Sequence, residues 1–297
     1  MSADAHGNFY GKRLVVFGCG YVGAEVARQA VARGVSVTAL TRNPAKALVL
    51  RADGVEVHVA DLATSEWHDR IPGNADFVLN CVSSGGAGVE GYRRSYVDGM
   101  ASVRRWAQHA GAPGTFLYTS STSVYPQHGG IVEEGAPPGG DERAGVLLEA
   151  EAGAREVPLP DGRWFILRLA GIYGPGRSHL LTQVKTGEIA GHGTHRLNLA
   201  HRDDIAAAIW ACFGAPATVR NEIFNVADDA PTPKAEIVAW LAARLGLPAP
   251  RFTGAPAAGR RTITPDRAIA NEKLKTLLRW SPRYPTFREG YENLLSR

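Results

Sequence analysis

Short apolar runs recur through the first 170 residues, each followed by a polar cluster and then by a stretch with helical spacing. Leu14–Phe17, Val35–Leu40, Val55–Ala60, Asp76–Cys81, Thr115–Thr119 and Trp164–Leu169 read as strands. Ala24–Arg33, Lys46–Arg51, a long stretch from about Gly91 to His109, and Ala144–Glu156 read as helices between them. Strands alternating with helices imply βαβ units, whose right-handed crossovers build a doubly wound parallel sheet covered by helices on both faces. The expected fold class is therefore α/β. After Leu169 the pattern loosens. Leu180–Lys185, Asp203–Phe213, Lys234–Leu245, Ala268–Leu278 and Phe287–Leu295 read as helices, and Glu222–Val226 as a further strand. The Pro-, Gly- and Ala-rich stretch Gly246–Gly259 reads as an exposed connection.

In an open parallel sheet, ligands bind beyond the carboxyl ends of the strands. The polar clusters sit there: Gly18–Gly23, Thr41-Arg42, Asp61-Leu62, Ser83-Ser84 and Ser120–Ser123 each follow a strand. The first is the most informative. Gly18-Cys19-Gly20-Tyr21-Val22-Gly23 is a G-x-G-x-x-G between a predicted strand and a predicted helix. In that context Gly18 allows the tight turn, Gly20 lets a pyrophosphate approach the backbone, and Gly23 lets the helix pack on the strand. The helix N-terminus then presents free N–H groups and a positive dipole end to phosphate. This makes a Rossmann dinucleotide site, with Tyr21 and Val22 inside the turn. Arg42 lies about 20 residues further on, where an acidic residue would take the ribose 2′-hydroxyl of NAD and an arginine suits the 2′-phosphate of NADP. No acidic residue occurs from Val35 to Ala52, which favours NADP(H) over NAD(H).

Length and composition narrow the picture further. A chain of 297 residues suits one large α/β domain with a smaller lobe. We expect residues 1–12 to be a flexible tail and residues 13–173, with 198–230 returning to them, to form the dinucleotide-binding domain. Residues 174–197 and 231–297 would form a small carboxyl-terminal substrate lobe. No apolar run approaches the roughly 18 residues of a membrane span, and the first residues lack the layout of a signal peptide. The cysteines, Cys19, Cys81 and Cys212, are three in number and far apart in sequence, which points to a reduced, cytoplasmic setting without a zinc site. The net charge is +4, but no basic run or basic–aromatic interleaving accompanies it, so neither nucleic acid nor membrane is an expected partner. A small-molecule substrate is, and the chain would act as a monomer or homodimer.

Several later segments resemble the extended short-chain dehydrogenase/reductase family, the NAD(P)-dependent epimerase/dehydratase group. Ser120-Ser121-Thr122-Ser123-Val124-Tyr125 is similar to that family's S-S-x-x-V-Y segment. Ile172-Tyr173-Gly174-Pro175-Gly176 resembles its V/I-Y-G-P-G, His201-Arg202-Asp203-Asp204-Ile205 its H-V-D-D-V, and Phe224-Asn225-Val226 its F-N-V. With Gly18–Gly23, these segments span nearly the whole chain in the family's order. One motif is missing. Members carry a Tyr-x-x-x-Lys, a phenol whose pKa is lowered by a neighbouring cation so that it can exchange a proton with substrate. This chain has no such pair and no lysine between Lys46 and Lys185. Aligning Glu149-Ala150-Glu151 with the family's E-A-E puts Arg143 at the tyrosine position and Leu147 at the lysine position. The chain therefore reads as an atypical member.

The resemblance assigns candidate roles. Asp61 and Leu62 would meet the adenine, although Asp61 is equally suited to capping the turn that follows. Cys81, Val82, Ser83, Ser120, Ala170, Gly171 and Ile172 complete the expected cofactor contacts, with Thr41 and Arg42. Ser121 falls where the family places its catalytic Ser or Thr, and otherwise caps a turn. Tyr125 is the next phenol, though a packed ring with a satisfied hydroxyl is its more ordinary role. His179 has the right pKa range for acid or base work, but a lone loop histidine is more often a surface residue, as is His128. Ser84, Arg143, Arg177, Arg260 and Arg261 are candidates for a substrate carbonyl, phosphate or carboxylate, against the plainer reading of solvated polar side chains. His192 and His195 lack the company that a metal site needs. Two functions remain open: an NADP(H)-dependent reductase, epimerase or dehydratase with a substituted proton donor, acting on a small carbonyl, sugar or nucleotide sugar, and a catalytically inactive dinucleotide sensor or scaffold.

Overall fold

A computed structural model describes residues 8–86, 88–255 and 265–296. Seven strands form one all-parallel sheet: β1 (Arg13–Phe17), β2 (Ser36–Thr41), β3 (Glu56–Val59), β4 (Phe77–Asn80), β5 (Thr115–Ser121), β6 (Arg163–Leu169) and β7 (Glu222–Val226). Their spatial order is β7-β6-β5-β4-β1-β2-β3. The order reverses between β1 and β4, and the crevice beyond the carboxyl ends of those two strands is where such sheets bind ligands.

The helices are α1 (Tyr21–Ala32), α2 (Pro44–Ala52), α3 (Gly88–Arg93), α4 (Gly99–Ala110), α5 (Glu142–Arg155), α6 (His179–Thr186), α7 (Arg202–Phe213), α8 (Lys234–Leu245), α9 (Glu272–Leu278) and α10 (Phe287–Leu295). The continuous apolar runs are explained by burial on both sides. Leu14 and Val16 of β1 point to one face, packed with Val26, Ala27 and Ala30 of α1 and Ile205 and Ile209 of α7. Val15 and Phe17 point to the other, with Met100, Val103 and Trp106 of α4 and Ala150 and Ala154 of α5. A third apolar cluster joins Leu181 and Val184 of α6, Ile237 and Leu241 of α8, and Phe287 and Tyr291 of α10, forming the small lobe.

Four expectations change. The long helix expected from Gly91 to His109 is interrupted by a π-helical turn, Arg94–Asp98, between α3 and α4. Ala268–Leu278 is not one helix. Asp266–Ile269 is a strand running parallel to a second short strand, His128–Val132, and only α9 is helical. Tertiary pairing wins over helical spacing there, because Arg267 and Ile269 are buried in the seam. The Gly246–Gly259 connection contains a short strand, Arg251–Phe252, paired with Glu188–Ile189. Finally, the expected tail is docked from Asn8 onward. Phe9 is buried and packs edge-on against Phe77 and Trp210, and Lys12 pairs with Asp76 at 2.9 Å. Among the described residues, no helix is long and apolar enough to cross a membrane.

Candidate functional site: a dinucleotide cleft

The turn from β1 into α1 has three glycines in three different environments. Gly18 adopts φ +90°, and a Cβ on it would collide with the backbone of Val82. A Cβ on Gly23 would strike the carbonyl oxygen of Gly18 and the sulfur of Cys81, so α1 starts closer to the sheet than any other residue would allow. A Cβ on Gly20 would meet nothing within 4 Å. The first and third glycines thus serve close packing, and the second faces open space. No side chain caps α1 and no acidic residue occupies its first turn, which leaves its N-terminal dipole available to an anion.

A cleft of about 250 Å³ opens on this turn. It brings together Gly18, Gly20, Thr41, Arg42, Asp61, Leu62, Cys81, Val82 and Ser83, all expected from sequence. It also includes Asn43, Lys46, Arg94 and Ser95, which sequence reading did not select. Lys46 had a signal: it lies one helical turn beyond Arg42. Asn43 caps α2, accepting from the Lys46 amide at 3.0 Å, with Pro44 following as the first helical residue. Arg94 and Ser95 enter from the π-helical turn, a feature often found at functional sites and not visible in residue spacing.

The electrostatics of the cleft are cationic around one carboxylate. Asp61 accepts from Arg94 Nη2 at 2.9 Å and from the Ala63 amide at 3.0 Å. Burial works to raise its pKa, but the Ala63 amide and the Arg94 guanidinium outweigh it and hold the carboxyl below the usual range, with Arg42 adding to the effect. Both readings of Asp61, turn cap and cleft residue, describe the same side chain. Cys81 donates its thiol to Gly18 O at 3.1 Å, and burial keeps that thiol protonated.

Other expected residues lie elsewhere. Val22 and Gly23 are buried behind the turn. Tyr21 lies at its rim, with its ring between the guanidinium groups of Arg177 and Arg202, 5.5 and 5.4 Å from the ring centre. Its hydroxyl donates to Pro175 O at 2.9 Å, and so draws Arg177 to the glycine turn. Ser120 is buried on β5. Ala170, Gly171 and Ile172 are not free loop residues. Gly171–Tyr173 pairs in parallel with Leu199–His201, and the amides of Ala170 and Gly171 donate to Val226 O and Asn198 O. Ser121 accepts from the Ser123 amide at 3.2 Å, as a turn cap does.

Tyr125 is a packed ring. It is fully buried beneath the Arg168 guanidinium, and its hydroxyl donates to Asn225 Oδ1 at 2.7 Å. Arg168 in turn makes a two-pronged pair with the buried Glu151, at 3.0 and 2.7 Å. Leu147 is buried in the core. Arg143 lies on α5 with its guanidinium 5.7 Å from the centre of the Tyr92 ring. Tyr92 packs against Tyr96 with ring centres 4.6 Å apart and planes tilted by 57°, and the Tyr96 hydroxyl accepts from the Ser84 amide at 3.1 Å. These two phenols were missed because nothing in the sequence connects α3 to the loop after β4. Burial raises the Tyr96 pKa, so its hydroxyl stays protonated. His179 is exposed at the start of α6. Arg260 and Arg261 lie outside the described residues. Among the described residues, no cluster of His, Cys, Asp or Glu could hold a metal ion. A second hollow of about 480 Å³, lined in part by Arg13, His68, Trp106 and His109, opens where β1 begins, at the opposite end of the sheet from the glycine turn.

A family model described as NAD(P)H-binding matches residues 18–216, most of the chain and all of this cleft. The chain belongs to the NAD(P)H-binding family. It is a member of the short-chain dehydrogenase/reductase class with the atypical features noted above. It is 27% identical to Protein YeeZ of Escherichia coli strain K12 over 267 residues, 88% of this chain and 94% of the relative. It is 26% identical over 303 residues to the 3-diazoavenalumate denitrifying reductase of a Streptomyces species, covering 93% and 98% of the two chains. Its fold matches that of MoeE5, solved in complex with UDP-glucose and NAD, at a TM-score of 0.81 and 21% identity, over 96% and 97% of the chains. The glycine turn fits an NAD(P) pyrophosphate: Gly20 leaves the space and α1 offers the amides.

Proposed function

We propose that this chain is an NADP(H)-dependent reductase that uses a substituted proton donor. The observation that carries the reading is the charge beyond β2. Arg42 and Lys46 line the cleft there, and no carboxylate lies from Val35 to Ala52. A family member built for NAD places an acid at that point, to accept from the ribose 2′-hydroxyl. Two cations suit a 2′-phosphate instead. The reductase named among the relatives supports the reaction class.

The bound cofactor would supply the hydride. The chain's own task is to hold it and to provide a proton. Gly20 and the α1 amides hold the pyrophosphate, while Arg42 and Lys46 hold the 2′-phosphate. In this reading the proton resides on Tyr92 Oη. Tyr92 has a guanidinium, Arg143, at its ring face and a second phenol, Tyr96, beside it. A phenol and a guanidinium thus lie side by side here, the residue types that a proton donor and an orienting cation need. Ser84 and Ser121 are the hydroxyls proposed to face a substrate carbonyl.

A second reading is favoured by Tyr125 and Leu147. Leu147, at the family's lysine position, is buried in the core, and Tyr125, the next phenol, is packed and satisfied, as in a dinucleotide sensor that has lost turnover. The test is a thermal-shift titration with NADPH, NADP, NADH and NAD, followed by a carbonyl substrate panel read by NADPH oxidation. A ligand present at 100 times its Kd adds about 2.7 kcal/mol to folding. We expect the phosphorylated forms to raise Tm and the others to do so weakly. Equal responses to all four would remove the NADP reading. Binding without hydride transfer across the panel would favour the sensor.

A further inference from the structure

The loop after β4, Ser83–Gly86, is pinned from the π-helical side. The Ser84 amide donates to the Tyr96 hydroxyl at 3.1 Å, and the Gly85 amide donates to Ser95 Oγ at 3.1 Å. Ser95 Oγ is itself held by Gly91 O at 2.9 Å. The Arg42 side chain crosses the cleft and lies against this loop. Its guanidinium occupies the volume that a Cβ on Gly85 would need. Gly85 has no positive φ that requires glycine, and it is exposed, so neither backbone conformation nor core packing explains the residue. The contact with Arg42 does.

The other charges around Arg42 favour the same pose. Asp61 attracts Arg42 but is already paired with Arg94, through Nη2 at 2.9 Å and Nε at 3.3 Å. Arg94 therefore satisfies the carboxylate and leaves the Arg42 guanidinium available to an added anion, with Lys46 on the same side of the cleft.

We propose that Gly85 is a positioning residue that sets cofactor choice by leaving room for Arg42 to lie across the cleft. The inference rests on the NADP reading above and adds to it a residue that does not touch the phosphate. The atoms nearest a Cβ at position 85 all belong to the flexible end of Arg42, so alanine there swings Arg42 toward solvent at little cost to folding. The cation then loses its place beside the 2′-phosphate. NADH, which lacks that phosphate, does not register the change.

The test is a set of Kd measurements for NADPH and NADH by calorimetry on the full chain, with Tm of the free protein recorded alongside. The variants are Gly85→Ala, Arg42→Ala and the double substitution. A charge-assisted hydrogen bond contributes about 1.5–3 kcal/mol, which converts to a loss of roughly tenfold or more. We expect Gly85→Ala to weaken NADPH by about tenfold on that scale, to change NADH by less than about twofold, and to leave Tm unchanged. In the Arg42→Ala background Gly85→Ala should have no further effect, because the group it displaces is gone. If Arg42→Ala shifts the NADPH/NADH ratio and Gly85→Ala does not, Gly85 has no positioning role and the NADP reading survives. A Gly85→Ala effect that persists without Arg42 also overturns the inference. If Arg42→Ala leaves the ratio unchanged, the NADP reading fails and this inference fails with it.

Discussion

Asp228 offers the sharpest quantitative test of the packing between the sheet and the small lobe. It follows β7 and is buried, with 4% of its surface exposed. Neither carboxyl oxygen has a hydrogen-bond partner of good geometry. Burial pushes its pKa up to about 8, and the carboxylates of Asp229 and Asp204 add to the rise. The main-chain amides of Ala230 and Leu199 offset only part of it. Its neighbours Tyr173 and Tyr291 are buried phenols, themselves pushed up by burial and by the nearness of Asp228. The folded protein therefore holds a proton here at neutral pH that the unfolded chain, with an ordinary value of 3.8, has released. Between those values the native state binds more protons, so stability falls as pH rises from about 4 to about 8 and then levels off. Each pH unit across that window costs about 1.4 kcal/mol, so the cost at pH 7 is about 4 kcal/mol as an upper bound. Relaxation around the buried charge lowers this.

Asp228→Asn keeps the shape and removes the ionisation. On this reasoning it stabilises the protein by about 2–4 kcal/mol at pH 7, and by more at pH 8. At about 2 °C per kcal/mol for a chain of this size, Tm should rise by roughly 4–8 °C. The assay is thermal unfolding of both proteins in a buffer series from pH 4 to 9. Asp204 sets the control. Its carboxyl accepts from the Arg283 and Tyr284 amides at 2.7 and 3.2 Å, yet burial still pushes its pKa up to about 6. The variant should therefore keep the decline that Asp204 causes between pH 4 and 6, and lose the decline between pH 6 and 8. A variant that is less stable at pH 8, or whose curve parallels the wild type throughout, would refute the argument.

The glycine turn makes a paired prediction. Gly23→Ala should lower Tm, by about 1–3 kcal/mol of overpacking, and abolish NAD(P)H binding together with it. Gly20→Val should leave Tm nearly unchanged, since its Cβ meets nothing, while weakening binding at least as much in the same calorimetric titration. Phe9→Ala should cost about 3–5 kcal/mol in denaturant unfolding, because the ring is buried against Phe77 and Trp210. A cost below about 0.5 kcal/mol, typical of a surface site, would return residues 8–12 to the status of a tail.

The parallel sheet was legible because its strands are buried on both faces, so each reads as an unbroken apolar run that needs no partner to be recognised. The glycine turn was legible for a similar reason: strand, turn and helix are contiguous, and the constraints on Gly18 and Gly23 arise within that one unit and from Cys81 and Val82 beside it. What stayed hidden depends on pairs distant in sequence. The strand at Asp266–Ile269 exists because His128–Val132 lies next to it, and Arg267 reaches back to donate to Thr122 O at 2.7 Å. The buried pair of Arg168 and Glu151 joins β6 to α5, and no spacing rule links them. The π-helical turn escaped for a different reason. Its residues have ordinary helical propensities, and only the extra residue in the turn swings Arg94 and Ser95 toward the cleft.

That turn also bears on how the chemistry is arranged. On α5 the position of the family's lysine has been turned into core, and the nearby phenol of Tyr125 is locked as well. Leu147 is buried, and Tyr125 is clamped between Arg168 and Asn225. Freeing Tyr125 for proton transfer would leave the Asn225 amide oxygen without its buried donor and expose the face of a packed ring, a cost that no apparent gain in the cleft offsets. The proton donor proposed above lies instead in the segment running from Tyr92 to Tyr96, which packs against α5 through Arg93–Glu149 and Arg143–Tyr92. There the phenols are only partly buried and a guanidinium lies within reach. The π-helical turn that brings Arg94 to Asp61 and Ser95 to Gly85 also sets Tyr96 against Ser84. One irregular turn thus holds Asp61, Gly85 and Ser84 at once, so substitutions that restore a regular helix there should loosen all three contacts and, on the reading proposed above, change NADPH binding and turnover together.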